Sequence, residues 1–254
     1  MRGICTIASR DFKALTFNSL FFVLSGICAL MWTFWYGNFL KEFIKNSQQM
    51  MTMQQHDMNL HQVFGMHVST VNLILLFIIP AITMKLFSEE KRANTMDLLL
   101  TSPINATQIV LGKFIAGTLA AWALVAVSFV FPLVTSFYGE VSWGPLISTY
   151  VGLMLLVACY VAVGMFASSL TSSVFLAVII GILFNLIFWF LGAGAEIAED
   201  PAWVAVFEHL SLGEHFFKNF VKGIVKIQSV VFFLSVIGLN CFLTQRVVES
   251  NRWR

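Results

Sequence analysis

The chain is poor in charge. Of its 254 residues only 11% are Asp, Glu, Lys or Arg, while 58% are hydrophobic. A soluble globular domain carries about 25% charged residues, so this chain has too little charge to cover a water-facing surface. Disorder is excluded by the same numbers, because disordered chains are apolar-poor and charge-rich. Fifteen basic residues against thirteen acidic ones leave a net charge of +2. That balance provides no basic face for nucleic acid. Cysteine is scarce as well. Cys5, Cys28, Cys159 and Cys241 form no CxxC pair, so they carry neither a zinc nor a redox signature. A phosphate-binding loop is also missing. Gly112-Lys113 is followed by Phe114, position 107 is Thr, and Gly192-Ala193-Gly194 is followed by Ile197 where a dinucleotide fingerprint needs Gly.

What the sequence has is long apolar runs. Residues 14–40, 58–84, 114–139, 141–195 and 227–245 contain no Asp, Glu, Lys or Arg. A helix needs about 20 apolar residues to cross a bilayer core about 30 Å thick. The window 141–195 holds 55 residues, enough for two spans. Its cluster Ser168-Ser169 and Thr171-Ser172-Ser173 suits a tight turn between them. Six spans are expected, near 17–37, 67–86, 110–138, 146–169, 174–194 and 227–246. Residues 73–79 and 174–190 are apolar on every face, whereas barrel strands alternate with period two. The first run is too long for a signal peptide, and no small-x-small site follows it. The fold class is all-α integral membrane, with residues 1–254 as one transmembrane domain.

Orientation follows from Lys and Arg, which favour the cytoplasmic side. With the N-terminus inside, ten of the fifteen basic residues lie on the inner segments, among them Lys85, Lys91, Arg92 and Lys113. Eight of the thirteen acidic residues then lie outside. Both termini are expected in the cytoplasm.

The segments between spans carry their own patterns. In residues 3–16, Ile4, Ile7, Ala8, Phe12 and Leu15 form an apolar stripe with Arg2, Arg10, Asp11 and Lys13 off it. This predicts an amphipathic helix in the membrane interface. In residues 87–103, Glu90, Asn94, Asp97 and Thr101 form one helical stripe and Ala93, Met96, Leu99 and Leu100 the opposite one. Ser102 and Pro103 match the N-cap and first turn of a new helix. Such a helix either floats on the headgroups or docks a soluble partner, and periodicity leaves both open. Asp200-Pro201 and Ser211…Glu214 predict two helix starts in 196–226. Phe216, Phe217, Phe220 and Val221 follow as an apolar face. Lys218, Lys222 and Lys226 lie one turn apart and can snorkel to headgroups.

Asn72, Thr83, Ser128, Asn185 and Asn240 are polar residues within the spans; such residues line a path or bond neighbouring helices, and they read as glue between helices. Ion-driven carriers keep ionisable groups at mid-membrane, and none is expected here. Power must therefore arrive through a partner. Residues 50–67 hold Met50, Met51, Met53, Met58, Met66, His56, His61 and His67, ligand types that suit Cu(I). A membrane anchor for a metal or electron-transfer centre is thus a competing reading. Without a pair of His at i, i+4, no metal site is assigned.

Glu89-Glu90-Lys91-Arg92-Ala93-Asn94-Thr95-Met96-Asp97-Leu98-Leu99-Leu100-Thr101-Ser102-Pro103-Ile104, followed by Ile109-Val110-Leu111-Gly112-Lys113, resembles the signature after the second helix of ABC-type-2 transporter permeases. The similarity is to the gliding-motility-associated group in particular. Residues 210–223, with Ser211, His215, Phe216, Phe220 and Gly223, extend it. The chain has Asn94 where those permeases usually carry Gly, and Asn tolerates a left-handed backbone better than most residues. The resemblance implies a coupling helix over 88–103 that seats in a cytoplasmic ABC ATPase. The docking residues would be Glu89, Glu90, Asn94, Thr95, Asp97, Leu98, Leu99 and Pro103. It also implies an elbow helix over 3–16 and short re-entrant helices over 196–226. The chain itself would bind no cofactor, and ATP and Mg would sit in the partner ATPase. A second permease subunit would complete a homo- or heterodimer in the bacterial inner membrane, in contact with membrane lipid. The implied activity is ATP-driven export, with force transmission to periplasmic partners as the alternative.

Overall fold

A computed structural model of the chain describes residues 2–50, 60–95, 105–139 and 141–251. Among these every regular element is helical. Six helices are long and apolar enough to cross a membrane: Ser19–Ser47, Leu60–Leu86, Ala106–Thr135, Trp143–Leu170, Val174–Ala195 and Ile227–Ser250. Each overlaps a charge-free window, and the first runs past the expected 37 to Ser47, through Lys41, Glu42 and Lys45. We number the elements α1 (Arg2–Thr16), α2 (Ser19–Met50), α3 (Leu60–Thr83), α4 (Ser88–Arg92), α5 (Ala106–Thr135), α6 (Trp143–Leu170), α7 (Val174–Ile197), α8 (Pro201–Leu210), α9 (Leu212–His215) and α10 (Ile227–Asn251). The basal end of the bundle carries α1, α4 and the starts of α2, α5 and α7. The distal end carries α8 and α9.

The fourth span, α6, is the centre. It is 78% buried, against 17% for the first and fifth spans. Between helices in lipid, close backbone approach replaces the hydrophobic effect as the source of association. A Cβ on Gly164 of α6 would lie 2.2 Å from the Thr83 hydroxyl, and one on Gly152 would lie 2.4 Å from Phe220. Both glycines are therefore fixed by neighbours.

Two prolines lie inside spans, Pro80 in α3 and Pro132 in α5. Proline lacks an N–H, so the carbonyl four residues earlier loses its helical donor. For Pro80 that carbonyl is Leu76, and it accepts from Asn185 Nδ2 of α7 at 3.4 Å. For Pro132 it is Ser128, and it accepts from the Tyr150 hydroxyl of α6 at 3.0 Å and faces His67 Nε2 of α3 at 3.3 Å. A carbonyl only accepts, so this ring nitrogen carries the hydrogen. The expected glue is thus present at Asn72, which accepts from Tyr160 at 3.1 Å, at Ser128 through its carbonyl, and at Asn185. Thr83 and Asn240 bond their own helices instead.

At the distal end both predicted caps form. Asp200 accepts from Ala202 N at 2.9 Å and Ser211 from Glu214 N at 3.2 Å. Phe216 and Phe220 lie in a wide π-type turn after α9 and are fully buried. The lysine ladder is corrected. Gly223, at φ +81°, ends this turn against Pro145, so Lys226 shares no helix with Lys218. Lys218 instead pairs with Glu208 at 2.9 Å and Glu214 at 2.6 Å. These carboxylates hold its pKa above the usual lysine value.

His215 clamps this hairpin to α10. Its Nε2 donates to the His209 carbonyl at 3.1 Å, so Nδ1 accepts from Ser229 at 3.1 Å, and the ring stacks on Phe232. Burial, opposed by the bond to His209, lowers the His215 pKa.

Two outcomes are expected. Tyr150→Phe should cost about 1 kcal/mol of thermal stability in detergent. The cost should shrink in a Pro132→Ala background, where residue 132 supplies its own N–H. An equal cost in both backgrounds contradicts the proline account. Because folding depresses the His215 pKa, the neutral ring stabilises the hairpin above its unfolded value near 6.5, and that contribution is lost as pH falls through it. Protection of the amides at residues 211–221, after correction for the intrinsic pH dependence of exchange, should therefore fall between about pH 7 and 5, and His215→Gln should flatten the profile.

Candidate functional site

The basal end holds the densest polar chemistry among the described residues. α1 packs on the start of α5, where Gly112 admits Ile7: a Cβ there would lie 2.9 Å from that side chain. Its buried face is Ile7, Ala8, Asp11 and Leu15. The sequence reading put Asp11 off the apolar stripe, and the structure corrects this. Asp11 is four residues after Ile7 and four before Leu15, so it shares their face.

A buried Asp needs a partner, and Lys113 supplies it. Lys113 lies two turns into α5 with a side chain only 1% exposed. The sequence reading counts it among the basic residues of the inner segments, at the start of the third span. Its ammonium contacts Asp11 at 3.2 Å and Glu90 of α4 at 2.7 Å, and lies 5.1 Å from the Phe87 ring centre. Arg10 closes the cluster, 2.8 Å from Asp11 and 3.5 Å from Glu90. Its hydrogen bond to Asp11 raises the Arg10 pKa. Two cations and two carboxylates thus join α1, α4 and α5.

α4 is five residues long, far short of a helix continuous over 88–103 such as the resemblance implies. It ends because Asn94 adopts a left-handed backbone, φ +54°. The Thr95 N–H then bonds the Glu90 carbonyl at 3.0 Å, and the Asn94 N–H bonds the Lys91 carbonyl at 3.2 Å. This is the Schellman ending that Gly usually makes and Asn tolerates. Asn94 therefore lies beyond the helix, and the stripe through Glu90 and Asn94 is not one helical face. Among the described residues the chain resumes at an extended Asn105 and enters the helix Ala106–Thr135; the helix start read at Ser102 and Pro103 lies outside the described residues.

The same segment is tied to the end of α6. The Phe87 and Ser88 N–H groups donate to the Ser168 hydroxyl at 3.2 and 3.0 Å, and that hydroxyl donates to the Met84 carbonyl at 2.9 Å. The Lys91 ammonium donates to the Ser169 carbonyl, and burial lowers the Lys91 pKa. Ser168 and Ser169 are still helical, so the turn they were assigned to starts only after Leu170.

Of the residues expected to dock a partner, Glu89, Asn94 and Thr95 are exposed, whereas Glu90 turns inward to Lys113. Asp97, Leu98, Leu99 and Pro103 lie outside the described residues, as do Met51, Met53, His56 and Met58. His61 faces the Val221 carbonyl at 3.0 Å. Among the described residues no three His, Cys, Asp or Glu side chains gather as metal ligands.

A six-span helical bundle with a charged basal knot and no strand among the described residues is a multi-pass membrane protein. The family model for ABC-2 family transporter proteins matches residues 5–249. The chain belongs to that family and is a permease component of an ABC transporter. No curated protein matches it.

Lys113→Met should destabilise the bundle by about 3–5 kcal/mol, because it strands two carboxylates on one buried face. Adding Asp11→Asn and Glu90→Gln should recover part of that loss in a thermal unfolding series. A triple variant as unstable as the single one would contradict the cluster.

Proposed function

We propose that this chain is the membrane-spanning subunit of an ATP-driven exporter in the bacterial inner membrane. Its basal end faces the cytoplasm and receives a separate ABC ATPase, which holds ATP and Mg. A second permease subunit completes the translocating unit. The single observation that carries the reading is the basal knot, in which one short exposed segment is bonded to three elements of the bundle. Force on residues 88–95 reaches α5 and α1 through Glu90–Lys113–Asp11. It reaches α6 through Ser168 and Ser169. A five-residue helix cannot hold itself in water, so its position is set by these bonds, and moving it moves them.

Docking then falls to Asn94, Thr95 and the residues that follow, including Asp97, Leu98, Leu99 and Pro103. Glu90 acts inside the permease, and Glu89 borders the surface. The positive-inside bias supports this orientation.

Asp97→Lys with Leu98→Asp in the full permease should cut ATPase co-purification at least about tenfold and leave permease melting unchanged. Undiminished co-purification would overturn the docking assignment. ATP-dependent movement of cargo into inverted vesicles by the wild-type complex separates export from force transmission without transport.

A further inference from the structure

The basal end also holds a cleft of about 350 Å³, between α1 and residues 85–95. That size lies within the range that holds small ligands, about 300–1,000 Å³. Its walls combine both signs of charge with apolar side chains. Lys85 and Glu89 line it beside Ala14, Leu15 and Leu86. Among the described residues Lys85 and Glu89 make no ion pair, although every other charge in the wall belongs to the Lys113 cluster. Among the described residues the cleft thus keeps one ammonium and one carboxylate without an ion-pair partner.

Its depth is set by the spans. Asn18 immediately precedes the first span, and Leu86 is the last residue of the second. The cleft is therefore at the level where hydrocarbon gives way to headgroups. A void of about 10 Å³ adjoins it, sharing Leu15, Asn18 and Lys85 and adding Leu20, Phe21 and Ile82 from α2 and α3, too small for an acyl chain. A polar cup at the headgroup level matches an amphiphile whose head enters the cup and whose chains stay in the bilayer beside the first span.

We infer that this cleft binds a phospholipid whose headgroup carries both a phosphate and a primary ammonium. Lys85 takes the phosphate, and Glu89 accepts from the ammonium N–H groups. An anionic headgroup without an amine satisfies Lys85 but leaves Glu89 facing like charge. A choline headgroup has the charge but no N–H to donate. The ethanolamine headgroup meets both. Bound there, the lipid bridges α1 and the segment that leads into α4. The inference needs the membrane fold but no ATPase, so its failure leaves the exporter reading untouched.

Native mass spectrometry of the purified full chain tests it, with phosphatidylethanolamine, its N-methyl and choline analogues, and phosphatidylglycerol at equal mole fraction. Ethanolamine lipid should be retained about tenfold over choline and glycerol lipid, with retention falling stepwise as methyl groups replace N–H. Lys85→Ala and Glu89→Gln should each remove that preference in protein of unchanged melting temperature. A photo-crosslinker at the exposed Ala14 should capture ethanolamine lipid in the assembled complex. Equal retention of all four lipids, a preference that survives both substitutions, or capture of an ATPase subunit by Ala14 in place of lipid would overturn the proposal.

Discussion

Lipid offers a backbone carbonyl nothing to bond, so a helix that crosses it must satisfy its own backbone or borrow donors from neighbours. Pro80 and Pro132 each open one gap in that accounting. The bundle closes them with side chains that otherwise look out of place in hydrocarbon: Asn185 for Leu76, and Tyr150 with His67 for Ser128. An unpaired carbonyl at that depth costs several kcal/mol, which exceeds what most single contacts contribute. The positions of α3, α6 and α7 around these two kinks therefore follow from backbone bonding as much as from packing. Gly181, whose Cβ would approach Pro80 at 3.0 Å, lets α7 come close enough for Asn185 to reach.

Charge obeys the same economy at the basal end. An ammonium with 1% exposure is tolerable only with carboxylates in contact, and replacing such a set by apolar residues is often neutral or stabilising. Stability alone does not account for the arrangement. What the Lys113 set adds is registration. Asp11 comes from α1 and Glu90 from α4, so only one placement of those two elements satisfies the cation. An apolar patch would accept several.

The architecture was open to a reader of the sequence because it rests on local signals. Charge-free windows gave six spans, and Asp200, Ser211 and Glu214 gave two helix starts. The amphipathic period of residues 3–16 gave α1. The site was less legible, for different reasons at different residues. Asp11 was readable in principle, since it lies at i+4 from Ile7, but its meaning depended on a cation 102 residues away. Lys113 stands next to a charge-free window and enters the sequence reading only as one more basic residue of the inner side. Ser168 and Ser169 advertised a turn by composition, yet their bonding groups serve residues about 80 positions earlier. Residues 87–103 carried a clean helical period, and a single left-handed residue, Asn94, overrode it. Periodicity reports which face is apolar. It does not report where a backbone turns back.

The two ends of the bundle are held differently. The distal hairpin has its own caps and ion pairs, with Ser211 at its start, Gly223 at its end and Lys218 between Glu208 and Glu214, and His215 and Phe220 then fix it to α10 and α6. α4 lacks such local devices: it has no side-chain cap at its start, ends after five residues, and draws its bonds from α1, α5 and α6. An element held in this way does not move alone, because interfaces this tightly paired shift between discrete arrangements and do not stretch. Force applied at the exposed edge near Asn94 and Thr95 is therefore obliged to appear at Lys113 and Ser168, on the third and fourth spans. On the exporter reading proposed above, this dependence of α4 on its neighbours is what would make the basal end the point of entry for work done outside the membrane.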